Sequence, residues 1–348
     1  MENEETQKEA IQSALISQSG GIHNLQDVQN YLLLRKLKKD VSIRFLCWLI
    51  KFNLIHSSRT FWANDLSNLF DHYSILKNQF LAEKEDNPLS QVDPSTALII
   101  KSDAERTFPW FLKFTQQFGL KIPNTFNPEL CVQRILVLLS KDSPKISYTQ
   151  GFDRFVWISI LVCFSFTFNG GLHSEYTEAY SYYVSRELIQ LNYVARKIEF
   201  FPEIEEHFFL LDSLAAKEEP EIYKLLVKEG HSSLHYALKW ELTLFADEHS
   251  GEELLYIWDH LIAHIDKFDE YLRYLCIGHL RQVPLPQYED EMAMVIQQFK
   301  NWDTMKIVDD ANDLMDLSNE KEIGKFKCMC CWIKLKNIYR NWFSYDRL

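Results

Sequence analysis

The 348-residue chain contains little glycine or proline, with only ten residues of each. Because these residues form turns and break helices, their scarcity argues against a turn-rich β architecture. We find no convincing alternation of apolar and polar residues typical of strands, and no repeat of fixed period typical of a solenoid. Hydrophobic residues make up 47% of the chain and aromatic residues 14%, enough for a large core. The composition therefore predicts an all-α fold.

Positive charge is also scarce, since 37 Lys and Arg face 49 Asp and Glu for a formal net charge of −12. A chain this acidic is not expected to bind nucleic acid in general. The seven cysteines lack the spacing of a disulfide framework, and residues 1–5 are too acidic for a signal peptide. The longest apolar run, residues 155–168, is shorter than the roughly 20 residues of a membrane span. We therefore expect a cytoplasmic protein in which this run forms a buried helix.

Helical periodicity divides the chain into three parts. Residues 1–21 are polar and mostly acidic, and we expect a flexible N-terminal segment that is either loose or weakly helical. Residues 22–318 carry successive helical patterns, interrupted by a polar linker over residues 83–95, and form the predicted domain. Residues 319–348 form a basic tail rich in cysteine and aromatic residues.

Residues 100–109 combine an acid and an arginine at helical spacing. Ile100, Asp103 and Arg106 are three residues apart and share one helical face. Because Pro109 cannot continue a helix, we expect the helix to break at Thr107 and leave Arg106 at an exposed end. The planar guanidinium suits phosphoryl oxygens. The alternative is a surface ion pair between Asp103 and Arg106, worth about 0–0.5 kcal/mol.

Two further patterns carry candidate site residues. Gln150 follows Tyr148 and precedes Gly151 at the start of the long apolar helix, and glycine lets a partner approach closely. A glutamine there can orient a water molecule because it donates and accepts hydrogen bonds, although it is equally compatible with an ordinary cap-region residue. Arg44 and Trp48 are four residues apart on one face, a spacing also compatible with simple helix packing in which the arginine head reaches solvent.

These motifs together resemble a known family. In chain order they are Arg44-x-x-x-Trp48, Ile100-x-x-Asp103-x-x-Arg106-Thr107 and Tyr148-x-Gln150-Gly151. The order and spacing of these motifs resemble those of the TBC-domain family, the Rab GTPase-activating proteins. The stretches 240–245 and 257–259 are similar to the family's W-x-x-x-x-F and I-W-D signatures, and residues 301–311 are similar to its closing helices. The resemblance covers about residues 22–318.

The resemblance implies a two-lobed helical domain that grips a GTP-bound Rab GTPase and accelerates its GTP hydrolysis in vesicle traffic. Arg106 would be the arginine finger and Gln150 the glutamine finger. The supporting residues would be Asp103, Thr107, Tyr148, Gly151, Arg44 and Trp48. The chain lacks a GxxxxGK[ST] phosphate loop, so no GTP hydrolysis of its own is expected. GTP and Mg²⁺ would be carried by the Rab partner, and no cofactor by this chain.

Two departures from the family pattern leave an alternative open. Phe152, Asp153 and Arg154 follow the Gln-Gly pair where the family often has Met-Asn-Asp, and residues 39–43 replace a Gly-Ile-Pro lead-in. Arg154 is unusual at its position, where it could alter the choice of Rab or crowd the fingers. The alternative function is a catalytically silent adaptor of the same fold that binds a small GTPase.

Two further regions were considered as functional sites, the basic tail and one pair of histidines. Residues 319–348 hold seven Lys and Arg against three Asp and Glu, with Cys328, Cys330 and Cys331 among them. S-acylation together with basic contacts to anionic lipid would give peripheral association with endomembranes through residues 325–343. The alternative is a basic amphipathic helix that packs on the domain. His231 and His235 lack the glutamate of a zinc protease motif, so no metal site is predicted.

Overall fold

The computed structural model describes residues 2–18, 20–38, 41–142, 148–198, 200–288 and 291–318. Within these ranges the protein consists of sixteen α-helices and four short 3₁₀ helices, without a strand. The all-α prediction is therefore confirmed. The basic tail, residues 319–348, lies outside the described residues.

The first eight helices are α1 (Glu2–Gln18), α2 (Leu25–Leu32), α3 (Ser42–Lys51), α4 (Trp62–Phe80), α5 (Pro94–Gln117), α6 (Pro128–Asp142), α7 (Phe152–Asn169) and α8 (Ser174–Leu191). The remaining eight are α9 (Tyr193–Lys197), α10 (Phe201–Glu218), α11 (Pro220–Lys228), α12 (Ser233–Leu242), α13 (Glu252–Ala263), α14 (Phe268–Leu280), α15 (Met292–Gln298) and α16 (residues 304–318).

Helix α7 is the centre of the first lobe. All its residues from Phe152 to Thr167 are buried except Arg154, and it packs against α1, α3, α5, α6 and α8. By length and composition this helix would suit a membrane crossing, but 83% of its apolar window is buried inside the protein. This burial confirms the interpretation of residues 155–168 as a core helix.

The second lobe contains α9–α16, and its helix α13 contacts α2 and α3 of the first lobe. Asp259 on α13 lies at this junction and is fully buried. Its Oδ1 accepts hydrogen bonds from Arg44 Nε and Trp48 Nε1, both at 2.9 Å, and its Oδ2 lies 2.9 Å from Lys38 Nζ. Arg44 therefore does not extend to solvent, as the simple packing alternative proposed, but is fully buried against a carboxylate.

Helix α5 corrects the expectation of a break at Thr107. The helix runs without interruption to Gln117 and contains Pro109 in its interior. Buried residues recur on one face for the whole length, from Ile100 through Thr107 to Phe114, and this face packs on α7. Packing of a continuous apolar face outweighs the local cost of the proline, whose ring lies on the exposed side.

The N-terminal segment forms a helix that packs on the first lobe. Residues 2–18 form α1, in which Ile11, Ala14 and Leu15 are buried against the first lobe. Gln7 Nε2 donates a hydrogen bond of 3.0 Å to Ser67 Oγ on α4. The expected linker at residues 83–95 likewise contains ordered turns, the 3₁₀ helices Ala82–Lys84 and Pro88–Gln91.

Candidate functional site

Arg106 projects from the exposed side of α5. Its side chain is 56% exposed, and its Nη2 donates a hydrogen bond of 2.7 Å to Oδ1 of Asp103 one turn earlier. Asp103 itself is buried, with only 1% of its surface exposed. The pair is thus not a simple surface ion pair, because a buried carboxylate holds one terminal nitrogen of an exposed guanidinium.

Tyr148 completes the environment of Asp103. Its phenol donates a hydrogen bond of 2.6 Å to Asp103 Oδ2, so each carboxylate oxygen has its own partner. Burial, together with the nearby carboxylates of Asp153 and Asp103, raises the pKa of Tyr148 above its ordinary value. The phenol therefore remains protonated at neutral pH and remains a donor.

Gln150 lies directly beside Arg106. In the amide orientation that satisfies both groups, the Gln150 side-chain oxygen accepts hydrogen bonds from Arg106 Nη1 at 3.0 Å and Nη2 at 3.1 Å. Gln150 is exposed like the guanidinium. The fold thus brings the two predicted fingers into contact on the surface, one from α5 and one from the turn before α7.

Gly151 shapes that turn. It has a φ of +104° at the N-cap of α7, a conformation that side-chain-bearing residues rarely adopt. A Cβ at this position would also lie 3.2 Å from Thr243 Cγ2 at the end of α12. The backbone therefore favours glycine here, and a larger residue would also have to displace the Thr243 methyl by a few tenths of an ångström.

Asp153 is a buried carboxyl group behind the fingers that the sequence did not single out. Burial raises its pKa to about 6, although the Thr107 hydroxyl and the guanidinium groups of Arg154 and Arg106 act in the opposite direction. Thr107 Oγ1 lies near this carboxyl without a well-aligned hydrogen bond. The only signal in the sequence was an acid in the first turn of an apolar helix, where the helix dipole favours negative charge.

A sequence profile described as RabGAP-TBC, the Rab-GTPase-TBC domain, matches residues 41–283. The chain belongs to this TBC-domain family. The family prediction is therefore confirmed, and it supports a general Rab GTPase-activating function with a Rab-type small GTPase as partner.

A solved structure agrees with the TBC-domain assignment. The crystal structure of the Ypt/Rab-GAP domain of Gyp1p superposes with a TM-score of 0.59 at 14% sequence identity, covering 89% of this chain and 98% of that chain. At this identity the likeness shows the fold, and it confirms the predicted helical TBC architecture. No curated protein matches the sequence.

In this TBC domain, Arg154 is engaged by the second lobe. Its Nε donates a hydrogen bond of 3.0 Å to Asp247 Oδ1, in the segment after α12, and its guanidinium lies 4.8 Å from the centroid of the Trp110 ring on α5. The hydrogen bond and the ring contact of this side chain are thus directed to Asp247 and Trp110 rather than to the fingers.

Two other pairs of residues considered in the sequence lie apart from Arg106 and Gln150. Arg44 and Trp48 direct their side-chain hydrogen bonds to Asp259, so they support the junction of the lobes rather than the fingers. His235 Nδ1 accepts a hydrogen bond from Ser232 N at the start of α12. Within the described part of the chain, no group of three or more His, Cys, Asp or Glu residues is placed to hold a metal ion.

Proposed function

We propose that this TBC domain completes the active site of a GTP-bound Rab GTPase with two side chains, Arg106 and Gln150. The observation that carries the proposal is their juxtaposition: the Gln150 amide oxygen lies 3.0 and 3.1 Å from the two terminal nitrogens of an exposed arginine. A single docked nucleotide would therefore meet both groups at once.

The chemistry assigns a different role to each finger. Phosphoryl transfer needs positioned charge and a positioned water more than covalent help from the protein. Arg106 would neutralise charge developing on the transferred phosphoryl group, and Gln150 would orient the attacking water. The GTP and its Mg²⁺ belong to the Rab. On docking, the hydrogen bonds between the fingers would be exchanged for bonds to phosphate and water, while Asp103 keeps its hold on Arg106.

Single-turnover GTP hydrolysis by a panel of GTP-loaded Rabs tests the proposal. We expect wild type to accelerate at least one Rab by about a few hundred-fold or more, and Arg106→Ala and Gln150→Ala each to lose most of that acceleration. Arg35→Ala is the matched control, since its side chain is 65% exposed and pairs with Asp309. Tight binding of a Rab without faster hydrolysis would instead support the silent adaptor.

Peripheral association with endomembranes is a separate proposal about the tail, which lies outside the described residues. It is supported by the basic residues and by Cys328, Cys330 and Cys331 within 319–348. Deleting residues 319–348 should abolish membrane recovery in cell fractionation and leave single-turnover hydrolysis unchanged. Unchanged recovery would contradict this proposal.

A further inference from the structure

We propose that Arg154 is a positioning residue that holds the turn carrying Gln150 against both α5 and the second lobe. The inference rests on the proposed function, in which Gln150 must meet the nucleotide at a fixed place relative to Arg106. It concerns a residue at which this chain departs from the usual family pattern.

The contacts of Arg154 join three parts of the molecule. The residue belongs to the first turn of α7, directly after the turn that bears Gln150. Its Nε bonds Asp247 of the second lobe at 3.0 Å, and its guanidinium covers the ring of Trp110 on α5. Its Nη1 lies 3.9 Å from Asp153 Oδ2. Only 18% of the side chain is exposed, so solvent screens these interactions little.

The contact with Trp110 links the two fingers. Trp110 follows Arg106 by four residues on α5, and therefore lies one turn further along the same side of the helix. An arginine from α7 placed over this ring fixes the start of α7 relative to the helix that carries the arginine finger. The separation of Gln150 from Arg106 then depends on this contact.

The contact with Asp247 fixes the same turn to the second lobe. Burial raises the pKa of Asp247, but Arg154 and Lys239 outweigh it, so that the pKa lies below its ordinary value and the carboxylate is charged. Lys239 Nζ lies 3.3 Å from Asp247 Oδ2, so the acid is held from a second side. Gly151 also lies close to the second lobe, because an added Cβ would be 3.2 Å from Thr243 Cγ2, so the lobe flanks the turn on both sides of Phe152.

Single-turnover hydrolysis at varied concentrations of the TBC domain tests the inference on the Rab that wild type accelerates. We expect Arg154→Ala to lower the maximal rate about tenfold or more, with the half-saturating concentration changed by less than about threefold, since small misplacements of a catalytic group cost rate rather than binding. Asp247→Asn should lower the maximal rate in the same direction. Arg154→Lys should restore part of it, because lysine keeps the charge and loses the planar stacking.

A double-mutant cycle separates positioning from general damage. If Arg154 acts through Gln150, Arg154→Ala should cost little further rate in the Gln150→Ala background. Arg186→Ala is the control, because Arg186 has 25% exposure, lies over the Tyr183 ring at 4.9 Å and pairs with Glu187 elsewhere on the first lobe. If Arg154→Ala does not fold, Arg154→Lys and Asp247→Asn carry the cycle.

The outcomes distinguish this inference from the function on which it rests. If wild type accelerates no Rab, the proposed function itself fails. If wild type is active and Arg154→Ala keeps the full maximal rate, the positioning role is overturned. A loss of equal size with and without Gln150 would also overturn it.

Discussion

At the scale of single residues, the site depends on how one buried carboxylate is shared. Asp103 uses Oδ1 for Arg106 and Oδ2 for Tyr148, so a charged group in the protein interior has a partner at each oxygen. A buried acceptor left without its donor costs more than the bond itself contributes. The tyrosine of the motif therefore stabilises the anion that in turn orients the guanidinium.

Tyr148→Phe tests this arrangement. Loss of the phenol leaves Asp103 Oδ2 unpaired, and we expect the free energy of unfolding to fall by about 1–3 kcal/mol and GTPase stimulation to fall with it. Denaturant unfolding and single-turnover hydrolysis measure the two effects. Tyr288→Phe is the control, because Tyr288 is 64% exposed. A variant as stable as wild type would show that the phenol is dispensable for the carboxylate.

Asp153 makes stability depend on pH in the acidic range. Burial raises its pKa from 3.8 to about 6, so between about pH 4 and pH 6 the folded state holds a proton that the unfolded chain has lost. Stability should therefore fall as pH rises through this window, and the penalty persists above it. At about 1.4 kcal/mol per pKa unit, the full effect is at most about 3 kcal/mol.

Asp153→Asn should remove that penalty. We expect the free energy of unfolding at pH 7 to rise by about 1–3 kcal/mol relative to wild type, with the difference shrinking towards pH 4. Urea unfolding at several pH values between 4 and 7.5 measures it. A variant less stable than wild type at pH 7 would mean that Thr107, Arg106 and Arg154 stabilise the charged carboxylate more than burial opposes it.

At the scale of elements, the sequence predicted what local pattern determines. The apolar run at residues 155–168 predicted α7, and the successive helical patterns of residues 22–318 correspond to helices in the described part of the chain. The predicted break in α5 was wrong, because a continuous buried face outweighs the local breaking signal at Pro109. The packing of α1 was not predicted, because its buried residues Ile11, Ala14 and Leu15 are interspersed among polar residues.

For the candidate site, too, local sequence patterns predicted some residues but not their distant contacts. Arg106, Asp103, Tyr148 and Gln150 follow from motif and spacing, and the structure places them in contact. The contact of Arg154 with Asp247 joins residues far apart in the chain, and no local pattern indicates it. Residue types were thus predictable, whereas partners supplied by tertiary packing were not.

Pro109→Ala measures what the proline costs α5. Alanine restores a donor to the helix and removes the clash with the carbonyl of residue 105, so we expect the free energy of unfolding to rise by about 1–3 kcal/mol. Thermal or denaturant unfolding reads this out, with Lys113→Ala as an exposed control one turn later. An unchanged or lower stability would show that α5 is adapted to the proline, for instance through a bend that its packing requires.

At the scale of the whole molecule, the two lobes meet at a buried cluster of charge. Burial raises the pKa of Asp259, but Arg44 and Lys38 outweigh it, so the pKa is lowered and the carboxylate stays ionised. Such a cluster is weak evidence of net stabilisation compared with apolar packing. We expect the cluster to favour specificity instead, because the two cations of the first lobe are neutralised when α13 is docked with Asp259 beside them.

Asp259→Asn tests this dependence with a nearly isosteric change. It leaves Arg44 and Lys38 buried without their counter-charge, and we expect a loss of about 3–5 kcal/mol in the free energy of unfolding at pH 7. Because a carboxylate of lowered pKa stabilises the fold above the unfolded value of 3.8, the difference from wild type should shrink as pH falls below about 4. Glu105→Gln is the control. It removes the ion pair with Lys101, in which both side chains are more than half exposed, and should change the free energy of unfolding by less than about 1 kcal/mol. If Asp259→Asn and Glu105→Gln change the free energy of unfolding by the same small amount, apolar contacts hold the lobes together. The charge cluster would then contribute little to stability.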